Sequence, residues 1–250
     1  MELDIIYNKD CFETLKEIDD KSIDLVVTDP PYKINYDVWD KGEFPEFTNR
    51  WLSECFRVLK DNGSMWSFMG YQQIFDFVPL TNKYGINHLE NWVIWARQKG
   101  RGSSRHLKSQ REDIFHITKT DTFIWNNIKI LREVATGFMK DGKPRGWFIN
   151  ENGQRVRWTG LGNIWVYTAP FWNSKEDIKI NHSAQKPVVL LERLIRLSSN
   201  EGDIILDPFI GSGTTAIACI NTNRHYIGSE INRNYYDIAI KRVKLVETGK

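Results

Sequence analysis

The chain has 250 residues, of which 41% are hydrophobic and 26% are charged, and its formal net charge is only +2. This composition is that of a soluble globular protein with one large core. It contains no apolar run long enough to span a membrane. The acidic start at Met1–Ile6 leads directly into a strand pattern, so the sequence gives no sign of a signal peptide.

The three cysteines, Cys11, Cys55 and Cys219, lie far apart in the chain and are odd in number. Their spacing matches neither a disulfide framework nor a metal site. We therefore expect reduced thiols in a cytoplasmic protein, and no metal.

The N-terminal part of the chain alternates short apolar runs with amphipathic segments. These patterns predict strands at Leu3–Asn8, Ile23–Thr28, Ser64–Met69 and His88–Ala96, and helices at Phe12–Ile18 and Phe47–Leu59. The strand Ile23–Thr28 stops at Asp29-Pro30-Pro31-Tyr32, because proline cannot donate to a ladder. The following segment, Lys33–Asp40, is predicted to form a mobile flap beside that turn.

The middle of the chain is less regular. Gln98–Arg111 is basic and rich in glycine and serine, without an acidic residue, and its pattern indicates a loop before a strand at Ile114–Thr118. Asn126–Asn181 is interpreted as irregular. We expect one domain over residues 1–250, with an inserted region at approximately residues 120–180.

Regular patterns return in the C-terminal part. They predict helices at Pro187–Ser198, Thr214–Ile220 and Tyr235–Val246, and strands at Asp203–Leu206 and Tyr226–Ser229. Strands that alternate with helices favour the α/β class, with a doubly wound, mostly parallel sheet covered on both faces.

A glycine-rich turn follows the strand that ends near Leu206. Its sequence is Asp207-Pro208-Phe209-Ile210-Gly211-Ser212-Gly213-Thr214-Thr215. Glycines allow a ligand to approach the backbone, and the first N–H groups of the next helix point toward it. The turn lacks the third glycine of the dinucleotide fingerprint and the lysine of a phosphate loop. A Gly-x-Gly pair alone is weak evidence and also fits a purely structural turn.

Glu230 follows the next predicted strand, where a carboxylate can accept hydrogen bonds from both hydroxyls of a ribose. A ribose acid without a phosphate anchor suits a nucleoside cofactor that carries no phosphate. S-adenosylmethionine is a cofactor of this kind. The alternative is a solvated glutamate beside a glycine turn.

The turn Asp29-Pro30-Pro31-Tyr32 lies at the carboxyl end of a buried strand, which is the edge where open α/β sheets bind ligands. A carboxylate and a proline-held carbonyl offer only acceptors, and Tyr32 offers a flat ring. These groups match an amino group with two N–H donors on a planar base. Hydrogen bonds from that amino group to Asp29 and to the Pro30 carbonyl would direct the nitrogen lone pair at a methyl donor. A rigid structural turn is the alternative.

Together these motifs resemble the amino-methylating DNA methyltransferases, in particular the permuted group in which Asp-Pro-Pro-Tyr precedes the glycine motif. His182-Ser183-Ala184-Gln185-Lys186-Pro187 and Asp10-Cys11-Phe12 are similar to further segments of that family. The family usually has Pro and Thr where this chain has Ser183 and Ala184. The resemblance implies a Rossmann-like, seven-stranded sheet with a target-recognition insert.

The resemblance also implies which residues bind the cofactor S-adenosylmethionine. These are Asp10, Cys11, Lys186, Pro187, Asp207, Pro208, Phe209, Gly211, Ser212, Gly213, Thr214 and Glu230. Asp29, Pro30, Pro31 and Tyr32 are then the catalytic residues, and the target base leaves its stack to reach them. The aspartate at position 29 favours adenine N6, because members that methylate cytosine N4 often have serine there; cytosine remains the alternative.

Basic residues of the middle region are expected to contact DNA. Phosphate contacts are predicted for Lys99, Arg101, Arg105, Lys108 and Arg111, and base contacts for Arg155 and Arg157. The resemblance adds a cognate restriction endonuclease and a homodimer as expected partners. The competing functions are an RNA or protein methyltransferase, and a non-catalytic nucleic-acid-binding module of the same fold.

Overall fold

The computed structural model describes residues 2–32, 43–84, 88–135, 139–141, 143–167 and 185–249. The predicted flap at Lys33–Asp40 and residues 182–184 lie outside these ranges. The strands are β1 Ile5–Tyr7, β2 Ile23–Thr28, β3 Leu59–Met69, β4 His88–Ser103, β5 His106–Thr118, β6 Lys129–Glu133, β7 Met139–Lys140, β8 Lys143–Pro144, β9 Phe148–Ile149, β10 Arg155–Gly160, β11 Ile164–Val166, β12 Ile204–Asp207 and β13 His225–Ser229. The helices are α1 Cys11–Lys16, α2 Phe44–Val58, α3 Ile74–Lys83, α4 Val188–Ser198, α5 Thr214–Asn221 and α6 Arg233–Glu247.

Eight strands form the central sheet, in the order β1-β13-β12-β2-β3-β5-β4-β11. Every neighbouring pair from β1 to β3 is parallel, and β5 runs antiparallel to both β3 and β4. The predicted mostly parallel α/β sheet is therefore confirmed. The predicted count of seven strands was wrong by one, because Ile164–Val166 adds β11 beside β4.

Helices cover both faces of this sheet, as the alternating pattern predicts. Side chains from α4, α5 and α6 pack on one face in a core that includes Trp66, Phe68 and Ile114. Side chains from α1, α2 and α3 pack on the other face, around Val26, Met65 and Phe115. Strand β2 is buried along its whole length, which explains why a continuous apolar run identified it correctly.

The middle region is more ordered than its sequence indicates. The basic segment Gln98–Arg111, predicted as a loop, instead extends β4 and β5 as a hairpin, with Arg101 opposite Ser109 and Ser103 opposite His106. Residues 126–167, predicted as irregular, contain the small sheet β6-β10-β9 and the ribbon β7-β8. These strands have two to six residues and are largely exposed, so no buried face imposes a two-residue alternation on their sequence.

All three cysteines are buried and free of disulfide bonds, in agreement with the prediction of reduced thiols. None of the helices in the described ranges is long and apolar enough to cross a membrane.

Candidate functional site

The two predicted motifs follow neighbouring strands. Strands β2 and β12 are paired in parallel, with Leu206 opposite Val26, so their carboxyl ends meet at one edge of the sheet. The Thr28 hydroxyl, at the end of β2, donates to Asp207 Oδ1, at the end of β12, over 3.1 Å. The Asp29 turn and the glycine turn therefore open onto the same edge, as methyl transfer between their ligands requires.

The Asp29 turn is held by its own tyrosine. The Tyr32 hydroxyl donates to Asp29 Oδ1 over 2.8 Å. The tyrosine ring lies against the backbone of Gly70, just after β3, where an added Cβ would be 3.3 Å from the ring. Burial, followed by the charges of Asp29 and Glu112, raises the pKa of Tyr32 well above its usual value. Tyr32 therefore stays a neutral hydrogen-bond donor at physiological pH.

Lys186 reaches the second oxygen of the same carboxylate. Its Nζ donates to Asp29 Oδ2 and lies 3.5 Å from Glu112 Oε1, on β5. The lysine side chain is only 8% exposed and lies over the Phe68 ring, with Nζ 5.1 Å from the centroid. Two carboxylates thus share one buried ammonium at the edge of the sheet.

The charge states in this group follow from their surroundings. Burial lowers the pKa of Lys186, but the charges and hydrogen bonds of Asp29 and Glu112 outweigh burial, so its net shift is upward. Burial raises the pKa of Glu112, and Lys186 opposes that shift. Lys186 therefore remains an ammonium throughout the physiological range.

The side chain of Asp207 organises the start of the glycine turn from inside the protein. Its carboxylate accepts hydrogen bonds from the Thr215 hydroxyl at 2.5 Å and the Phe209 N–H at 3.1 Å, in addition to that from Thr28. Burial raises the pKa of Asp207 to about 7, although all three hydrogen bonds lower it. The Asp207 side chain thus ties β12, β2 and α5 together.

The glycine turn itself needs glycine at two positions. Gly211 has φ +54° and Gly213 has φ +81°, and a Cβ at Gly213 would lie 2.9 Å from the Cβ of Ala239 in α6. The buried Arg242 of α6 donates to the Ser212 carbonyl at 2.6 Å and to the hydroxyls of Ser212 and Thr214 at 3.1 Å. The side chains of Ser212 and Thr214 therefore have a partner within the protein.

Glu230 lies beside this turn, directly after β13. Its Oε1 accepts from the Asn232 N–H over 2.6 Å. Burial raises the pKa of Glu230, while hydrogen bonds from the N–H groups of Asn232 and Gly211 lower it. The hydrogen bond from Gly211 places the predicted ribose acid and the glycine turn next to each other.

The predicted Asp10-Cys11-Phe12 segment reaches the same region through aromatic rings. Asp10 caps α1 by accepting from the Phe12 N–H over 2.8 Å. The Phe12 and Phe209 rings lie 5.9 and 5.8 Å from the ring of Phe47 in α2. Cys11 is buried, and burial raises its pKa to about 12, so it offers a neutral thiol and no charge.

These residues fit a nucleoside sulfonium better than a phosphate-bearing cofactor. The turn from Ile210 to Thr215 contains no lysine or arginine, and Arg242 is already bound to Ser212 and Thr214. A half-buried carboxylate, Glu230, adjoins the positive-φ glycines. Its charge opposes a phosphate and favours hydroxyl groups or a cation.

The basic arm, residues 97–111, extends from the same edge as the Asp29 turn. Strand β4 runs parallel to β2, and β3 ends at Met69, opposite Asp113. The hairpin residues 97–111, which precede Glu112 in the chain, therefore project past the carboxyl edge. Arg105 and Lys108 are exposed, and Arg111 lies 3.4 Å from the buried Asp113. The backbones of Lys99 and Arg101 lie in β4.

The small sheet presents a second basic surface. Arg157 of β10 lies directly opposite Arg132 of β6, and Arg155 lies two residues away on the same face. The Arg155 guanidinium lies 5.5 Å from the Trp147 ring centroid. Arg132 and Arg157 make no ion pair within the described ranges. Like charges placed opposite each other destabilise a sheet, so this pair suits an anionic partner.

Several residues of the site escaped sequence reasoning. Glu112 contacts Lys186, and Arg132 lies opposite Arg157. Thr28 donates a hydrogen bond to Asp207, and Arg242 donates to Ser212 and Thr214 of the glycine turn. Glu112 carried a signal: it occupies alternate positions of β5 with Ile114, His116 and Thr118, all three of which are fully buried. A carboxylate on a buried face has a reason to be there. Arg242 is hidden in an ordinary helical pattern.

The DNA methylase family model, which covers N6 and N4 methyltransferases, matches residues 23–241. The chain belongs to this family. The matched range contains the Asp29 turn, the basic arm, Lys186 and the glycine turn, and it extends to Lys241 in α6. The part of this methyltransferase that matches the family model therefore includes both turns and the hairpin that lies between them in the chain.

Curated relatives agree with this assignment. Type II methyltransferase M1.MboII from Moraxella bovis is 33% identical over an alignment of 258 positions, which covers 96% of each chain. DNA adenine methyltransferase YhdJ from Escherichia coli K12 is 33% identical over an alignment of 252 positions, which covers 95% of this chain and 82% of YhdJ.

Solved structures share the fold at lower identity. The Thermus thermophilus protein TTHA0409, complexed with S-adenosyl-L-methionine, superposes with a TM-score of 0.66 at 23% identity, over 98% of this chain and 95% of that one. The cytosine-N4-specific PvuII DNA methyltransferase also superposes with a TM-score of 0.66, at 17% identity, over 98% and 93% of the two chains. Similarity at this level establishes the methyltransferase fold.

Proposed function

We propose that this methyltransferase transfers a methyl group from S-adenosylmethionine to the N6 amino nitrogen of adenine in DNA, at a specific sequence. The observation that carries the proposal is the meeting of the two turns. Asp29 follows β2, Asp207 is the last residue of the adjacent β12, and the hydrogen bond between Thr28 and Asp207 joins the two strand ends. An acceptor for a base amino group and a pocket for a nucleoside thus share one edge.

The cofactor pocket is assigned to the glycine turn. Glu230 accepts the ribose hydroxyls, the positive-φ Gly211 and Gly213 leave room for the cofactor, and the segments at Asp10 and Phe209 border its base. When bound, S-adenosylmethionine would supply an electrophilic methyl group: the N–C bond would form as the S–C bond breaks, which would leave a neutral thioether, and the methylated nitrogen would release its extra proton to water.

The protein's own contribution is to orient and stabilise the amino group. Asp29 accepts one N–H and the Pro30 carbonyl accepts the other, which directs the nitrogen lone pair at the methyl group. A carboxylate has lone-pair sites for several donors, so Asp29 can accept this hydrogen bond while Tyr32 and Lys186 still contact it. Its negative charge stabilises the positive charge that develops on nitrogen. The base is extruded from the duplex to reach this position, with Tyr32 against its face.

Adenine is favoured over cytosine by the residue at position 29. The chain has aspartate there, and the relative YhdJ is named a DNA adenine methyltransferase. The PvuII enzyme has the same fold and is cytosine-N4-specific, so the fold itself does not distinguish the two bases. The choice of base is therefore the first thing to measure.

The basic arm and the small sheet are assigned to DNA. The arm forms a two-stranded ribbon that projects from the edge carrying Asp29, with Arg105 and Lys108 exposed. A ribbon of this kind fits the major groove or follows the phosphates beside it. The pair Arg132 and Arg157 adds positive charge that a phosphate would neutralise.

The test is product analysis with the full-length protein. Purified protein, labelled S-adenosylmethionine and genomic DNA are incubated together, and the digested nucleosides are separated by mass. We expect N6-methyladenine in the wild-type reaction. In the variant Asp29→Ala the yield should fall by about 10² to 10³, while the dissociation constant for S-adenosylmethionine stays within a few-fold of the wild-type value.

Asp61→Ala is the matched control, because Asp61 is an exposed aspartate that pairs with Lys21. If the product were N4-methylcytosine, the target base would be cytosine and the proposed adenine specificity would be rejected. Methylation of RNA or protein but not of DNA would reject the DNA substrate, and full activity of Asp29→Ala would reject the mechanism.

A further inference from the structure

Beyond the residues of the two turns, we infer that Glu112 is a positioning residue for methyl transfer. It holds the Lys186 ammonium and shares its positive charge, so that Lys186 does not fully offset the negative charge that Asp29 offers to the substrate nitrogen. This inference rests on the proposed function of Asp29. It concerns a residue outside both sequence motifs, on the strand that leads out of the basic arm.

Glu112 lies beside the same ammonium that Asp29 contacts. Lys186 Nζ donates to Asp29 Oδ2 and lies 3.5 Å from Glu112 Oε1. The side chains of Lys186 and Glu112 are only 8% and 13% exposed, whereas that of Asp29 is 27% exposed. The more accessible carboxylate is therefore the one that can meet a substrate, and the less accessible one contacts the lysine.

Charge counting gives Glu112 its role. Lys186 and Asp29 alone form a neutral pair, in which the ammonium offsets the charge that Asp29 would offer to a developing cation. With Glu112 the group of three carries a net charge of −1, and the ammonium is shared between two carboxylates. Arg97 also acts on Glu112 through its charge, but it makes no hydrogen bond or ion pair with these three residues in the described part of the chain.

Neighbouring residues leave Glu112 little freedom. It lies opposite Trp95 on β4, and the Phe68 ring on β3 lies under the lysine. The sheet thus fixes the backbone of Glu112. The backbone of Lys186 is restricted in turn because Pro187, the N-cap of α4, follows it directly. Displacement of a catalytic group by about 1 Å can cost on the order of 10²-fold in rate, so this support affects turnover.

The decisive variant is Glu112→Gln, which keeps the shape of the side chain and removes its charge. We expect the single-turnover rate of methyl transfer to fall about 10- to 100-fold, while the dissociation constants for S-adenosylmethionine and DNA change by less than about threefold. Asp113→Asn is the matched control: Asp113 is an adjacent buried carboxylate whose side chain points to the opposite face of β5. Its rate should stay within about threefold of wild type.

The pH dependence gives a second measurement that a merely structural role would not alter. Asp29, Lys186, Tyr32 and Arg97 are the charged or titratable groups that act on Glu112 or share its network. Protonation of Glu112 at low pH removes the same charge as the glutamine variant, so the wild-type rate should fall on acidification more steeply than that of Glu112→Gln.

Three results would overturn the inference. The first is a Glu112→Gln rate within about twofold of wild type, the second is an equal loss in Asp113→Asn, and the third is parallel pH profiles. If Glu112→Gln does not fold, Glu112→Asp keeps the charge at a longer distance from Lys186, and a wild-type rate in that variant would count against the role of position. An inactive wild-type protein would instead reject the proposed function itself.

Discussion

Two carboxylates at the carboxyl edge, Glu230 and Asp207, differ in what they contact. Asp207 is surrounded by donors of the protein itself, from Thr28, Phe209 and Thr215. Glu230 accepts backbone hydrogen bonds at the margin of the glycine turn and is only partly buried. We therefore assign Asp207 a mainly structural contribution, within its predicted cofactor segment, and Glu230 the direct contact with the cofactor.

Substitution Glu230→Gln should weaken binding of S-adenosylmethionine about 10- to 100-fold. A hydrogen bond to a charged group contributes about 1.5–3 kcal/mol, which corresponds to that range of dissociation constants. Isothermal titration of the purified protein measures the change directly. Glu201→Gln, at an exposed glutamate before β12, is the control, and an unchanged dissociation constant for Glu230→Gln would refute the ribose contact.

The titration of Asp207 should make stability depend on pH. Burial raises its pKa from 3.8 to about 7 in the folded protein, so between about pH 4 and pH 7 the folded state binds more protons at this position than the unfolded state. The contribution of Asp207 to the free energy of unfolding is therefore fully present below about pH 4 and is lost as the pH rises to about 7.

In Asp207→Asn this titration is absent, so the free energy of unfolding should fall less between pH 5 and pH 7.5 than it does in the wild type. Urea unfolding of both proteins at the two pH values provides the comparison. Asp76→Asn, at an exposed aspartate on α3, controls for the loss of one carboxyl group. Identical pH dependence in Asp207→Asn and wild type would show that Asp207 ionises normally.

At the scale of elements, helix α5 depends on the fit of its N-cap residue against α6. Gly213, at the N-cap, has φ +81°, and an added Cβ would lie 2.9 Å from the Ala239 Cβ. Gly153, in the turn between β9 and β10, has a similar φ of +75° but open space around it. Substitutions at these two glycines therefore distinguish the cost of the left-handed backbone from the cost of a steric contact.

Both alanine variants should lower the free energy of unfolding, but by different amounts. Gly153→Ala should lose about 1–2 kcal/mol from the left-handed backbone alone. Gly213→Ala should lose about 1–3 kcal/mol more, because an extra methyl group must displace α6. Urea unfolding at neutral pH measures both values. Equal losses would mean that α6 moves away without cost and that the close packing at Ala239 is unimportant.

The elements also show which parts of the fold a sequence can predict. Strand β2 is buried on both faces and was predicted at Ile23–Thr28, the bounds it has in the structure. The basic arm was missed as a hairpin because lysine, arginine, glycine and serine have little β-propensity, and here the pairing of β4 with β5 overrides it. The small strands β6 to β10 were missed for lack of a buried face.

The site, like the fold, was predictable only where a local sequence pattern carries the information. Asp29, Gly211 and Glu230 stand in local motifs whose chemistry is readable, and the structure brings their turns to one edge. The partnership of Glu112 with Lys186 joins residues that are far apart in the chain. No local pattern gives that distance, although a carboxylate on a largely buried strand face indicates that it has a partner.

At the scale of the whole molecule, the small net charge of +2 hides an uneven distribution. The basic arm projects from the edge of the central sheet that carries Asp29. The arginines of the small sheet come shortly before β11 in the chain, and β11 pairs with β4 of the central sheet. Both surfaces thus lie in the chain between the Asp29 turn and the glycine turn. A nearly neutral protein can in this way bind a polyanion through one region while the rest of its surface contributes little.

This distribution predicts a specific change in salt dependence. Each phosphate that a protein contacts contributes about −0.9 to the slope of log K against log salt concentration for duplex DNA. Replacing Arg105 and Lys108 together by alanine should therefore reduce the magnitude of the slope by about 1.8, as measured by fluorescence anisotropy with a labelled duplex over a range of salt concentrations. The same double replacement at Lys241 and Lys244, exposed residues in the second half of α6, removes equal charge away from the arm and should leave the slope unchanged. A loss of slope that is equal in the two double variants would indicate that only net charge matters, and an unaltered slope in the arm variant would exclude Arg105 and Lys108 as phosphate contacts.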